Sequence, residues 1–83
     1  MPENSDFEKQ ISSKRLRKAL DQASAVLGRS AQDAMFNDLE LNGIAFKDRH
    51  QYSLRELQDA LVKIFGHDGT ALLVQRVEKA LEG

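Results

Sequence analysis

The residues best suited to acid–base or metal chemistry in this sequence are its two histidines, His50 and His67. Two histidines of one segment that bind the same metal ion are usually a few residues apart, and cysteine or carboxylate side chains complete the ligand set. These two are far apart in the sequence, and the chain contains no cysteine. His50 lies in a polar stretch and His67 directly follows Gly66, so both fit turn positions. We predict no metal site and no cofactor.

Other catalytic patterns are also missing from the sequence. No glycine-rich phosphate loop and no Gly-x-Ser-x-Gly nucleophile motif occurs. A calcium loop needs alternating acidic residues and a distal glutamate, whereas Asp68 is followed by Gly69, Thr70 and then apolar residues. Ser5, Ser30 and Ser53 are better explained as helix caps than as nucleophiles. We predict that the protein is not an enzyme and has no catalytic residue.

One basic cluster could contact nucleic acid. It consists of Lys14, Arg15, Arg17 and Lys18. A helix carrying these residues within a helical hairpin could act as a small DNA-binding regulator. The chain as a whole is nearly neutral, with 12 basic and 13 acidic residues, which weakens attraction to phosphates. Nucleic-acid binding is therefore the alternative function, and a steep loss of binding with added salt would identify it.

Surplus apolar residues favour association with protein instead. Leu72 lies on the polar face of the last predicted helix and Val62 at the edge of an apolar stripe, and Phe7 and Ile11 lie in the segment before the first main helix. Exposed apolar side chains that form one patch mark contact sites. The leading hypothesis is a non-enzymatic interaction module that binds a protein partner or a second copy of itself, as a homodimer.

The elements that must position these residues are helical. Strand patterns are lacking, and Gly28, Gly43, Gly66 and Gly83 each follow a helix-compatible stretch. The sequence predicts an all-α fold, a compact bundle of four helices arranged as two helical hairpins. The predicted helices span about 14–27, 30–42, 54–65 and 68–82.

The third helix has the clearest start. Ser53 and Glu56 form a capping-box pattern before an apolar stripe. At 100° per residue, the predicted core stripes of the first, third and last helices are Leu16, Ala19, Leu20, Ala23, Val26 and Leu27; Leu54, Leu57, Leu61, Ile64 and Phe65; and Leu73, Val74, Val77, Ala80 and Leu81. Ile44 and Phe46 are expected to enter the core from the connection that follows Gly43.

Residues 1–13 read as an N-terminal arm preceding a single helical domain at 14–83. Ser5 and Glu8 form another capping-box pattern, so a short separate helix at about 6–12 is one reading. A frayed terminus with Phe7 and Ile11 exposed is the other.

A faint internal similarity appears when the chain is shifted by 38 residues. Gly28 then aligns with Gly66, and several apolar positions coincide. The pattern fits either an ancient duplication or two helical hairpins with similar periods.

Size and composition limit the remaining possibilities. At 83 residues, with 41% hydrophobic and 30% charged residues, the chain suits one globular domain. No apolar run approaches the roughly 20 residues needed to span a bilayer, and the N-terminus lacks the features of a secretion signal. We expect a cytoplasmic protein.

From Leu16 to Leu81 the chain resembles a small archaeal family, the Nitrosopumilus output domain. The resemblance depends on the helix ending Val26-Leu27-Gly28, the Gly43-Ile44 step and the helix ending Ile64-Phe65-Gly66. It implies an all-helical archaeal domain that acts as an output in signalling and has no assigned catalytic residues. Unlike the fused members of that family, these 83 residues are expected to form the output domain alone, preceded by an arm of about 13 residues.

Overall fold

The computed structural model describes residues 7–47 and 49–82 and shows a mostly helical chain. Its elements are β1 (Ile11–Ser12), α1 (Ser13–Ala23), a 3₁₀ turn (Ala25–Leu27), α2 (Arg29–Leu41), β2 (Gln51–Tyr52) and α3 (Leu54–Glu82). The all-α prediction therefore holds at the level of a helical globule, but the two short strands were not predicted.

The two strands pair with each other and join the start of the chain to its middle. They run antiparallel, with Ile11 opposite Tyr52, and the Ser13 amide donates a hydrogen bond to the His50 carbonyl at 2.9 Å. Ile11 is buried in the same core as the helices. The short helix predicted at about 6–12 is present at Phe7 and Glu8 among the described residues but does not reach residues 11 and 12, which form a strand. The alternative of an exposed Ile11 is wrong, because Ile11 is buried.

Helix α1 ends earlier than predicted. The Ser24 hydroxyl donates a hydrogen bond to the Leu20 carbonyl at 2.7 Å, and this kind of back-bonding disturbs a helix. The helix stops at Ala23, and the chain tightens into the 3₁₀ turn. The predicted core positions Val26 and Leu27 are consequently exposed, by 72% and 42%.

Helix α2 begins without the predicted cap. Its N-cap residue is Gly28, with φ 88° and ψ 161°, and it has no side-chain cap. Ser30 lies one residue inside the helix instead. Met35 and Leu39 face the core, and Leu41 at the end is exposed.

The connection between α2 and β2 reaches the core as predicted. Ile44 is buried and the half-buried Phe46 packs against the core. The Phe46 ring contacts Phe36 and Tyr52 edge to face, with centroids 5.8 and 5.9 Å apart. Such pairs add specific geometry to apolar burial.

Helix α3 starts with the predicted capping box. The Ser53 amide donates to Glu56 Oε1 at 2.9 Å, and the Glu56 amide donates to Ser53 Oγ at 3.1 Å. The prediction of four separate helices is wrong, because the last two are one element with no loop between them. Gly66, with φ 81° and ψ 178°, is non-helical and kinks α3 into a first half (54–65) and a second half (67–82).

The core lies between α1 and both halves of α3, closed by α2 and the strand pair. Its fully buried residues include Leu16, Leu20, Met35, Leu39, Leu57, Leu61 and Val77. Most stripe positions predicted for α1 and α3 are buried or half-buried, the exceptions being Val26, Leu27 and Phe65.

The two halves of the chain are built alike but differ in length. Gly28 and Gly66, 38 residues apart, have nearly the same backbone angles, and each joins two helical segments. The capping serines Ser12 and Ser53 are 41 residues apart. The first half is thus three residues longer between cap and glycine, and the 3₁₀ turn contains three residues.

Candidate protein-binding groove

An apolar groove opens where the 3₁₀ turn faces α3. Its lining residues are Ala23, Val26, Leu27, Phe65, Gly69, Leu72, Leu73 and Arg76, around a volume of about 320 Å³. In the part of the chain that the structure describes, five large apolar side chains are exposed, and all but Leu41 line this groove. This is a contiguous apolar surface rather than scattered exposed residues.

Helix geometry explains one wall of the groove. Gly69, Leu72 and Arg76 follow one another at steps of three or four residues, so they form a row along the second half of α3. Phe65 ends the first half, before the kink, and its Cβ lies 3.4 Å from where a Cβ on Gly69 would stand. Phe65 is 41% exposed and Leu72 is 56% exposed. Gly69 has no side chain, and its place in the row leaves the groove open between the two.

The opposite wall comes from the end of α1. The Ser24 hydroxyl also accepts a hydrogen bond from Gln32 Nε2 at 3.1 Å, and the same amide donates to the Asp21 carbonyl at 2.9 Å. This network ties α1 to α2 and fixes the turn that follows. Val26 and Leu27 are thereby presented to the groove instead of the core.

The charge beside the groove is positive. Arg76 lines it, and a second cleft one helical turn further along contains Arg15 and Lys18 with Ala19 and Ala80. Among the described residues that line either cleft, no side chain is acidic. Arg15 Nη2 donates to the Leu81 carbonyl at 3.0 Å, which holds its guanidinium beside the end of α3.

The residues predicted as protein contacts occupy three different places. Leu72 is exposed in the apolar groove. Phe7 and Val62, both half-buried, line a separate cleft between the halves of α3, with a volume of about 430 Å³. Ile11 is only 8% exposed, so it belongs to the core and offers no contact surface.

Sequence reasoning missed Val26, Leu27 and Phe65 as surface residues. All three fall on the apolar stripes of their predicted helices, so helical periodicity alone predicts them to be buried. The available signal was local: Ser24 interrupts one stripe, and Gly66 ends the other immediately after Phe65.

The basic cluster is exposed but partly engaged within the chain. Arg17 stacks over the Phe36 ring, with its guanidinium carbon 4.7 Å from the ring centroid, and Arg15 bonds to Leu81 as described above. Lys14 and Lys18 are exposed. Arg15 and Lys18 thus share one cleft, Lys14 lines another, and Arg17 packs on Phe36.

The histidines and acidic residues do not converge. His50 stacks on Tyr52, with ring centroids 6.3 Å apart, and His67 is exposed at the start of the second half of α3. Among residues 7–47 and 49–82, no group of three His, Asp or Glu side chains could hold a metal ion.

Comparison with family models, curated proteins and solved structures finds no match to this chain. Within the described ranges, no helix has both the length and the apolar character required to cross a membrane.

Proposed function

We propose that this protein is a non-catalytic interaction module that binds another protein through the apolar groove. The observation that carries the proposal is the convergence of Val26, Leu27, Phe65 and Leu72 on one groove. The resemblance to an archaeal output domain fits such a role, in which binding at this groove would transmit a signal.

The energetics suit reversible binding. Fully burying one large apolar side chain contributes roughly 1.5–3 kcal/mol, and these four are about half exposed. Completing their burial therefore contributes roughly 3–6 kcal/mol, and the partner's own side chains contribute a similar amount. Association costs of about 4–15 kcal/mol offset much of this gain, which leaves weak to moderate affinity.

The test is a selection of peptides from a display library on the full chain, followed by binding to two variants. Leu72→Glu places a charge in the groove and should abolish binding of the selected peptides. Leu41→Glu is the matched control, because Leu41 is 77% exposed and lies outside the groove. It should leave binding unchanged.

Circular dichroism of both variants establishes that they fold. The proposal is refuted if the library yields no binder, or if the selected peptides bind the two variants equally well.

A further inference from the structure

We infer that the partner segment is an amphipathic helix that carries acidic residues at one end. This inference rests on the proposed function and names the chemistry of the partner. The groove is apolar at one end and leads to cations at the other. A partner helix that spans both ends should therefore carry apolar residues along one face and acidic residues at one end.

The two clefts form one continuous track along α1 and α3. Ala19 and Ala23 are one turn apart on α1, and Arg76 and Ala80 are one turn apart on α3. Each of these residues lines one of the two clefts, so the apolar groove leads directly into the basic cleft. From Gly69 to Leu81 the track is about 18 Å long at 1.5 Å per residue, which suits a partner helix of about three turns.

The positive charges along the track favour a partner that carries acidic side chains. Arg76, Arg15 and Lys18 line it, and among the described residues no acidic side chain lines either cleft. Glu78 and Glu82 lie with Arg15 in an adjoining third cleft, so Arg76 and Lys18 are the cations that face only the track. Carboxylates on the partner would pair with these cations, as in other helix-in-groove complexes with a charged rim. An isologous pairing of two copies through this face would bring no carboxylate to these cations, because no acidic side chain lines either cleft, and this disfavours a homodimer here.

The experiment uses a fluorescently labelled peptide selected on the full chain and measures its binding by anisotropy. We expect the selected peptides to combine an apolar stripe with net negative charge. In the triple variant Arg15→Gln, Lys18→Gln and Arg76→Gln, the dissociation constant should rise on the order of tenfold, because each exposed ion pair contributes modestly.

A second triple variant controls for net charge. Lys14→Gln, Lys47→Gln and Lys63→Gln removes the same charge from exposed positions outside both clefts, and it should raise the dissociation constant less than about twofold. Changing each Glu of the peptide to Gln should reproduce the loss seen with the first triple variant.

Two results would overturn the inference of an acidic partner without contradicting binding at the groove. One is binding that needs Leu72 but responds equally to both triple variants or to neither. The other is a dimer of the full chain in light scattering that Leu72→Glu converts to a monomer, since the occupant would then be a second copy. Peptides that do not distinguish Leu72→Glu from Leu41→Glu would instead refute the proposed function itself.

Discussion

Serine side chains form hydrogen bonds at the start of α1, at the end of α1 and at the start of α3. Ser53 and Glu56 satisfy two free amides at the start of α3. Ser24 ends α1 through its bond to Leu20. Ser12 caps α1 with one longer bond of 3.3 Å to the Arg15 amide at an exposed site. These three serines therefore contribute unequally to stability.

The difference between the stabilisation that Ser53 and Ser12 give to their helices can be measured. Ser53→Ala should lower the free energy of unfolding by about 1–2 kcal/mol, because it removes the acceptor of the part-buried bond from the Glu56 amide. Ser12→Ala, the matched control at an exposed cap, should cost less, about 0.5 kcal/mol. Urea denaturation of both variants gives the comparison, and equal costs would contradict the reciprocal capping box.

At the scale of elements, α3 depends on two glycines with opposite roles. Gly66 has φ 81° and ψ 178°, a region that is essentially restricted to glycine, whereas Gly69 lies within the second half of the helix. A Cβ at Gly66 would meet nothing within 4 Å, so any cost of substitution comes from the backbone itself.

Gly66→Ala should therefore destabilise the protein by about 1–3 kcal/mol. Gly69→Ala should stabilise it by about 0.5–1 kcal/mol, because alanine suits a helix interior and its Cβ would make an ordinary 3.4 Å contact with Phe65. Thermal denaturation distinguishes the expected loss of stability in Gly66→Ala from the expected gain in Gly69→Ala. If both substitutions stabilise, the kink does not require the conformation that the structure shows.

The elements also show which features of the fold can be read from sequence. The capping box at Ser53 was predictable because its bonds join residues three apart. The apolar stripes followed from the helical period. The pairing of Ile11 with Tyr52 was not predictable, because it joins residues 41 positions apart and each strand has only two residues. The groove was only partly predictable: Leu72 stood out on a polar face, whereas Val26 and Leu27 matched a core pattern that Ser24 interrupts.

At the scale of the whole molecule, β1 fastens the start of the chain to its middle. Ile11 packs into the common core and pairs with Tyr52, which is also buried. The radius of gyration is 11.7 Å, close to the value of about 12 Å expected for one compact domain of this length. The first strand is thus part of the globule and not a separate arm.

Ile11→Ala should accordingly cost about 2–4 kcal/mol of folding stability, as other substitutions that remove buried apolar volume do. Leu41→Ala should change stability by less than about 0.5 kcal/mol, because Leu41 is largely exposed. Chemical denaturation measures both. A change at Ile11 as small as that at Leu41 would show that β1 does not contribute to the core.

The difference between the two halves predicts the stoichiometry of the proposed peptide binding. Two identical halves would present two equivalent surfaces, and the molecule could then hold two partners at once. Val26 and Leu27 before Gly28 lie in the 3₁₀ turn and line the groove, whereas their counterparts before Gly66, Ile64 and Phe65, are α-helical. The groove is therefore formed once per chain, and a titration of the selected peptide should saturate at one peptide per protein.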